Sequence, residues 1–167
     1  MEYEIAKQQF ISDWGTLGSS WGINKTMAQI HALLLITPNA LSVEEIMQEL
    51  QISRGNTSMN VRQLMDWGIV YKKSKSGDRK EYFTSEKNIE ELARQVIKER
   101  NRRELQPVLK NLKEFTAIPD NNSAETKEFI KQTQAIYDFA NTTHNMLEKI
   151  TQQQQNWFTK VLMKFLS

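Results

Sequence analysis

Two helix-start signals in close succession constrain this chain more than any other feature of its sequence. Ser42 stands three residues before Glu45, the spacing of a capping box, in which each residue's side chain bonds a free backbone N–H of the other. Ser53 is a second N-cap candidate, and the pattern after it predicts a helix that ends at Gly68. The sequence therefore predicts a short helix, a turn and a second helix.

A longer helix precedes this pair and a basic hairpin follows it. The apolar stripe over residues 24–36 predicts a helix that stops before Pro38, because the residue before proline disfavours helical backbone. After the second helix, β-prone runs at residues 69–71 and 81–83 flank basic residues and a turn at Gly77. This order of elements is typical of a winged helix-turn-helix, with the hairpin as its wing.

Helical patterns extend on both sides of this central stretch. Residues 2–20 carry apolar residues at mostly helical spacing, and the chain beyond about residue 85 looks helical again. A kink or break is expected at Pro107 and a loop at residues 119–123. The apolar stripe of the first segment consists of Ile5, Phe10, Trp14, Leu17 and Trp21. The sequence leaves open whether residues 123–165 form one helix or two.

These patterns predict a mainly α fold with a small two-stranded β-hairpin. With 167 residues, the chain has room for one domain, or for a compact domain with an appended helical segment. We divide it into an N-terminal helix for packing or dimerisation (1–22), a winged helix-turn-helix domain (23–85) and a C-terminal helical dimerisation region (86–167).

The charge of the chain is unevenly distributed. The net charge is +2, yet residues 53–80 hold seven basic residues against two acidic ones, which gives +5 and leaves −3 for the rest. A local field attracts phosphate whatever the total charge is. The basic block is therefore a candidate surface for a polyanion.

The second helix of the pair has the chemistry of a helix that reads DNA. With Val61, Leu64 and Met65 predicted to face inward, the residues expected to face outward or sideways are short, mostly polar and uncharged. Asn and Gln amides can bond adenine edges, methionine can contact a thymine methyl group, and glycine permits close approach of a phosphate. The candidate DNA-binding residues of this helix and its start are Ser53, Arg54, Gly55, Asn56, Thr57, Met59, Asn60 and Gln63.

The hairpin presents cations at the tip of a narrow element that can reach phosphates and a minor groove. Arg79 is predicted to insert into the minor groove, with Asp78 orienting its guanidinium. The candidate contacts of the wing are Lys72, Lys73, Lys75, Arg79 and Lys80. Taken alone, the wing is equally well explained as a solvated basic hairpin without a ligand.

Three stretches carry a family resemblance. Residues 53–64 read SRGNTSMNVRQL, residues 67–70 read WGIV, and residues 77–80 read GDRK. They resemble the winged-helix regulators of the MarR type and, among these, the GbsR branch. In that branch the pattern Ser-Lys/Arg-Gly-x-x-Ser-Met-x-x-Arg-x-Leu opens the recognition helix, while Asp-Arg-Arg/Lys in the wing marks the wider group. The likeness covers residues 21–83.

The resemblance implies a sequence-specific regulator of transcription, most simply a repressor, that binds a palindromic operator in double-stranded DNA as a homodimer. The N- and C-terminal helices of two chains would pack together and hold the recognition helices over successive major grooves. The sequence agrees, since the apolar stripes beyond the winged helix need a partner surface. The alternative is that those helices pack on their own domain.

The resemblance also implies a small effector that changes the spacing of the recognition helices. Members of the GbsR branch include regulators of choline uptake and glycine betaine synthesis, and a quaternary ammonium is bound by aromatic ring faces. The aromatic side chains available for such a ligand are Trp14, Trp21, Tyr137 and Trp157. As core or interface residues they need no ligand, which is the simpler interpretation.

The chain lacks the motifs of the common enzyme classes. It has no GxGxxG, GxxxxGKS/T, HExxH or GxSxG pattern, and its two histidines, His31 and His144, stand far apart. The absence of cysteine excludes thiolate zinc sites and a cysteine nucleophile. We therefore expect no catalytic residue, no metal and no cofactor.

The competing hypothesis is a winged helix that binds another protein and not DNA. Its recognition surface would be apolar or acidic, whereas this one is rich in amides and flanked by Arg and Lys. The chain shows no basic-apolar leader and no run of about 20 apolar residues, so we expect a cytoplasmic protein without a membrane partner.

Overall fold

A computed structural model describes residues 1–152, which divide between two compact units, Met1–Leu92 and a second that begins at Ala93. The fold is mainly helical with one small antiparallel sheet. Its elements in chain order are α1 (Tyr3–Ser20), α2 (Lys25–Ile36), β1 (Leu41–Ser42), α3 (Val43–Leu50), α4 (Arg54–Asp66), β2 (Val70–Lys73), β3 (Tyr82–Ser85), α5 (Ile89–Arg100), a π-helical turn (Asn101–Leu105), α6 (Gln106–Thr116) and α7 (Ala124–Gln152). The finer division at residues 22 and 85 stays a prediction.

The helices of the first unit begin where their capping residues place them. The Asn24 side chain accepts the N–H of Met27 at 3.1 Å, so α2 starts at the next residue after the cap. Ser42 and Glu45 form the predicted capping box, with N···O distances of 2.6 and 3.3 Å. Ser53 caps α4. The core between these helices is built from the buried side chains of Ile30, Leu33, Leu34, Ile46, Val61 and Leu64.

The sheet has three strands and not the two that the sequence predicts. β3 lies in the middle, between β1 and β2, and both neighbours run antiparallel to it. The additional strand consists of only Leu41 and Ser42, which pair with Phe83 and Tyr82. Two residues are too few to show the alternation by which a strand is recognised, and Ser42 also carries the cap signal of α3.

The α1 helix packs on α2 with a face that the apolar stripe does not predict. Its buried residues are Ile11, Gly15 and Gly18, whereas Leu17 and Trp21 of the predicted stripe are exposed. A Cβ atom on Gly18 would lie 2.6 Å from the Cβ of Ala28, far closer than two carbon atoms can pack. The absence of side chains at these two glycines therefore brings the helix backbones close together.

A buried histidine connects α1, α2 and the sheet. His31 is 5% exposed; its Nδ1 accepts the indole N–H of Trp14 at 3.2 Å, and its Nε2 lies 3.1 Å from Ser85 Oγ. Because Nδ1 accepts, the proton of the neutral ring is on Nε2 and is donated to Ser85. Burial, aided by the charge of Lys87, lowers the pKa of His31 to about 4.

Lys87, just beyond β3, caps the C-terminal end of α2. Its ammonium donates to the carbonyls of Leu34, Leu35 and Thr37 at 2.6, 2.7 and 2.8 Å. Carbonyls at a helix C-terminus lack intrahelical partners and carry partial negative charge, so a cation suits them. The strand that leads out of the wing is thus fixed to the central helix by a second set of bonds.

The second unit contains the paired helices α6 and α7. Pro107 lies in the first turn of α6, and a π-helical turn directly before α6 interrupts the regular α-helix at this point, as expected. Asn101 of this turn is buried; its Oδ1 accepts from His144 at 3.0 Å and its amide donates to Glu148 at 3.2 Å. Over residues 124–152, α7 is one continuous helix, and residues 153–165 of the open question lie outside the described residues.

Residues 1–152 contain neither a candidate membrane span nor a candidate metal site. No helix there is both long and apolar enough to cross a membrane. Nor do three or more His, Asp or Glu side chains in that range come together in a way that would hold a metal ion.

Replacing Gly18 by Ala should destabilise the protein, because the new methyl group forces α1 away from Ala28. Overpacking costs about 1–3 kcal/mol, and the better helix propensity of alanine returns up to about 1 kcal/mol. We expect the free energy of unfolding in urea to fall by roughly 1–2 kcal/mol. Gly55→Ala is the matched control, since no heavy atom lies within 4 Å of its added Cβ. Equal effects of the two variants would contradict the close packing of α1 on α2.

His31 should make stability depend on pH above the range in which carboxylates titrate. Its folded pKa of about 4 lies below the ordinary 6.5, so its contribution is complete above pH 6.5 and is lost as the pH falls towards 4. Between pH 7 and 5 the free energy of unfolding should fall by about 2 kcal/mol. Urea titrations of His31→Gln should show a flatter profile than those of the unmodified protein. A steep profile in His31→Gln would refute the assignment.

Candidate nucleic-acid interface

The outward face of α4 is the centre of the candidate interface. Helical spacing places Gly55, Met59, Arg62 and Asp66 along one stripe, and Gln63 lies beside it; all five residues are exposed. Met59 is 53% exposed, although a methionine gains free energy from burial. The face therefore offers one apolar side chain among polar and charged ones.

Two residues expected on this face point into the protein. Thr57 and Asn60 are both 0% exposed, because helical spacing puts them on the same side of α4 as the core residues Val61 and Leu64. The Thr57 hydroxyl donates to the Ser53 carbonyl at 3.0 Å. Direct DNA contact by these two side chains, as predicted from the sequence, is therefore wrong for this structure.

Asn60 acts instead on its neighbour one turn earlier. Its amide donates to the backbone carbonyl of Asn56 at 2.8 Å and to Asn56 Oδ1 at 2.7 Å. Asn56 is half-buried, and its orientation is set by these bonds. Met65 was predicted to face inward, but it is exposed and not part of the core.

The N-terminus of α4 holds a cation in a fixed place. Arg54 Nη1 lies 2.8 Å from Glu44 Oε1 on α3, and the arginine side chain remains largely exposed. The pKa of Glu44 lies below its usual range, first because its own backbone N–H bonds the carboxylate and also because of Arg54. This ion pair, together with the Ser53 cap, places positive charge at the end of the helix that favours anions.

The wing turn is organised by Asp78. Its carboxylate accepts the backbone N–H of Lys80 at 2.9 Å and the Tyr82 hydroxyl at 2.5 Å, and these bonds hold the pKa of Asp78 below its usual value. Gly77 has a φ of 81°, a left-handed conformation that side chains disfavour. Asp78 makes no bond to the Arg79 guanidinium among the described residues, so it orients the turn and not, as predicted, that side chain.

The cations of the wing fall into two groups. Lys72 is paired with Glu81, and the ammonium of Lys75 lies 3.7 Å from the centre of the Tyr82 ring, a cation–π contact. Lys73, Arg79 and Lys80 are exposed and form no ion pair within residues 1–152. The second group is available for phosphates without first breaking a contact.

The aromatic residues predicted for a ligand are spread over the chain. Trp14 is half-buried and bonded to His31, and Trp21 is 55% exposed at the end of α1. Tyr137 is half-buried on α7 in the second unit, and Trp157 lies outside the described residues. Ligand binding by this set stays a prediction.

Arg62 is an exposed residue of this face that the sequence-based prediction of contacts does not include. The residue lies three positions after Met59 and seven after Gly55, so helical spacing alone assigns it to the outward stripe. The chemistry of short, uncharged side chains does not single it out. The signal was present in the spacing.

Comparison with known proteins points to one family for this part of the chain. Residues 21–81 match the family model described as MarR family. A crystal structure described as a transcriptional regulator is 20% identical with a TM-score of 0.58, covering 86% of this chain and 99% of that one, and it shows the likeness of fold. A MarR protein from Peptoclostridium difficile DA00132 is 17% identical with a TM-score of 0.40, covering 88% of each chain.

No curated protein gives a significant match. The family match includes α2, α3, α4 and most of the wing, the elements that carry the interface. Residues 21–81 are thus similar to the winged helix of the MarR family.

Proposed function

We propose that this chain is a transcriptional regulator that binds specific sequences in double-stranded DNA. The observation that carries the proposal is the exposed face of α4, which belongs to the same compact unit as a wing with untethered cations. In winged helices this arrangement puts the recognition helix in the major groove and the wing in the neighbouring minor groove. The family match supports a regulator and not an enzyme.

The contacts divide into phosphate and base contacts. Ser53 and Arg54 at the start of α4 and Lys73 and Lys80 in the wing bind phosphates, because they are cationic or lie at a helix N-terminus. Arg79 enters the minor groove. The base edges are read by Asn56, Met59 and Gln63, with Asn60 acting only by positioning Asn56.

The regulator acts as a homodimer on a palindromic operator. Support comes from large exposed apolar side chains on α1 and in the second unit, which a monomer would leave in water. On α7 they include Phe129, Ile136, Phe139 and Met146. Their spacing follows one face of a long helix, the form of a helix–helix interface.

Three finer assignments complete the proposal. The pattern of residues 53–64 favours the GbsR branch. A dimer seated on an operator blocks access to a promoter, so we assign repression, in the cytoplasm. A small effector bound by aromatic side chains would relieve the repression. Of Trp14, Trp21 and Tyr137, Trp21 is the most exposed.

The DNA proposal predicts different losses for wing and helix variants. Arg79→Ala should weaken binding to all duplexes alike and reduce the salt dependence by about one counterion, because a charge in the minor groove is lost. Gln63→Ala should reduce mainly the preference for the operator, by roughly 10-fold. Fluorescence anisotropy over a salt series, with the upstream intergenic duplex and a scrambled one, measures both effects.

Lys110→Ala, an exposed cation of the second unit, is the control and should bind as the unmodified protein does. Equal losses on both duplexes for the Arg79 and Gln63 variants would contradict the division of roles. If the unmodified protein binds neither duplex at low salt, the chain is the protein-interaction module that the sequence left as the alternative.

The dimer proposal is tested on α7. Phe139 is 77% exposed, so Phe139→Glu should leave the fold of the chain intact yet place a charge in the proposed apolar interface. We expect a monomer in sedimentation equilibrium and operator affinity at least about 10-fold lower, because two half-sites are no longer bound together. Asn145→Glu adds the same charge at an exposed position that lies about 120° around the helix axis from Phe139, and this variant should remain dimeric. A dimeric Phe139→Glu would place the interface elsewhere.

A further inference from the structure

Arg62 stands at the centre of the outward face of α4. Gly55, Met59, Arg62 and Asp66 follow one another at intervals of four, three and four residues, which keeps them on one line along the helix. Gln63 lies at the edge of this line, and Asn56 is half-buried further round. The side chain that projects most directly from the face is thus a guanidinium.

The guanidinium of Arg62 is not engaged by any side chain or carbonyl of residues 1–152. It forms no ion pair or hydrogen bond with the rest of the described chain, whereas Arg54 is paired with Glu44 and Lys72 with Glu81. Arginine carries five N–H donors in a planar fork. These donors are available for a planar acceptor pair.

We infer that Arg62 reads a guanine in the major groove, an inference that rests on the proposed DNA-binding function. The O6 and N7 atoms of guanine present two acceptors side by side, and an arginine fork can bond both at once. Met59, one turn closer to the helix start, contacts the methyl group of a nearby thymine. Each half of the operator therefore contains a guanine close to a thymine. The Asn and Gln amides alone would predict adenine contacts instead.

The position of Arg62 favours a base over a phosphate. The cations assigned to phosphates lie at the N-terminus of α4 and in the wing, away from the middle of the helix face. Asp66, one turn beyond Arg62 on the same stripe, exposes a carboxylate that repels phosphate but can accept from a cytosine amino group. An anion beside the guanidinium thus suits a base pair and not the backbone of the duplex.

Selection from a pool of random duplexes tests the inference. The unmodified protein should enrich a site with one invariant guanine in each half, and replacing that guanine should reduce its affinity at least about 10-fold. Arg62→Ala should lose the preference at that position and keep the others. Arg62→Gln should shift it from guanine to adenine, because a glutamine amide matches the N6 and N7 atoms of adenine.

Arg54→Gln is the matched control, since it removes an arginine assigned to phosphate on the same helix; it should select the same site with lower affinity. If Arg62→Ala also selects the same site with uniformly lower affinity, or if Arg62→Gln retains guanine, the inference is overturned. If the unmodified protein enriches no sequence and binds no duplex at low salt, the proposed function itself fails. Circular dichroism and thermal unfolding should show all variants folded, because both side chains are exposed.

Discussion

One side of α4 is buried in the core of the first unit and the other is exposed to solvent. The packing of the first unit depends on this division. One side must supply Val61 and Leu64 to the core, and the turn of the helix draws Thr57 and Asn60 in with them. Only the opposite stripe is left exposed for a ligand, and it is narrower than the polar composition of the helix implies. Few side chains project from that stripe, among them Met59 and Arg62, while the buried Asn60 determines how Asn56 is presented.

The wing is shaped before it meets any ligand. Asp78 bonds the backbone of its own turn and the Tyr82 hydroxyl, and the Lys75 ammonium covers the Tyr82 ring. These contacts fix the hairpin and so reduce the conformational entropy that binding would otherwise cost. Three cationic side chains of the wing have no such contacts within residues 1–152 and stay exposed, those of Lys73, Arg79 and Lys80. A wing ordered in this way loses less flexibility when it binds a ligand.

Signals between residues close in sequence predicted where the helices begin. They did not predict how segments distant in sequence pack on each other. The caps at Ser42 and Ser53 depend on neighbours three residues away, so the sequence displays both partners. Which side of α1 is buried depends on how closely α2 approaches it. Gly15 and Gly18 lower the helix propensity of α1, yet they are the residues that permit the contact. Asn60 was misplaced because polarity outweighed periodicity, although a buried amide can bond the backbone of its own helix.

The contact between α1 and α2 has a mechanical consequence. Side chains between two helices usually form a layer that absorbs small displacements by changing rotamers, but at Gly18 and Ala28 that layer is almost absent. Little room is therefore left for α1 to shift against α2. His31 of α2 in turn is bonded to Ser85 at the root of the wing. Within this unit, direct contacts therefore join the first helix to the root of the hairpin.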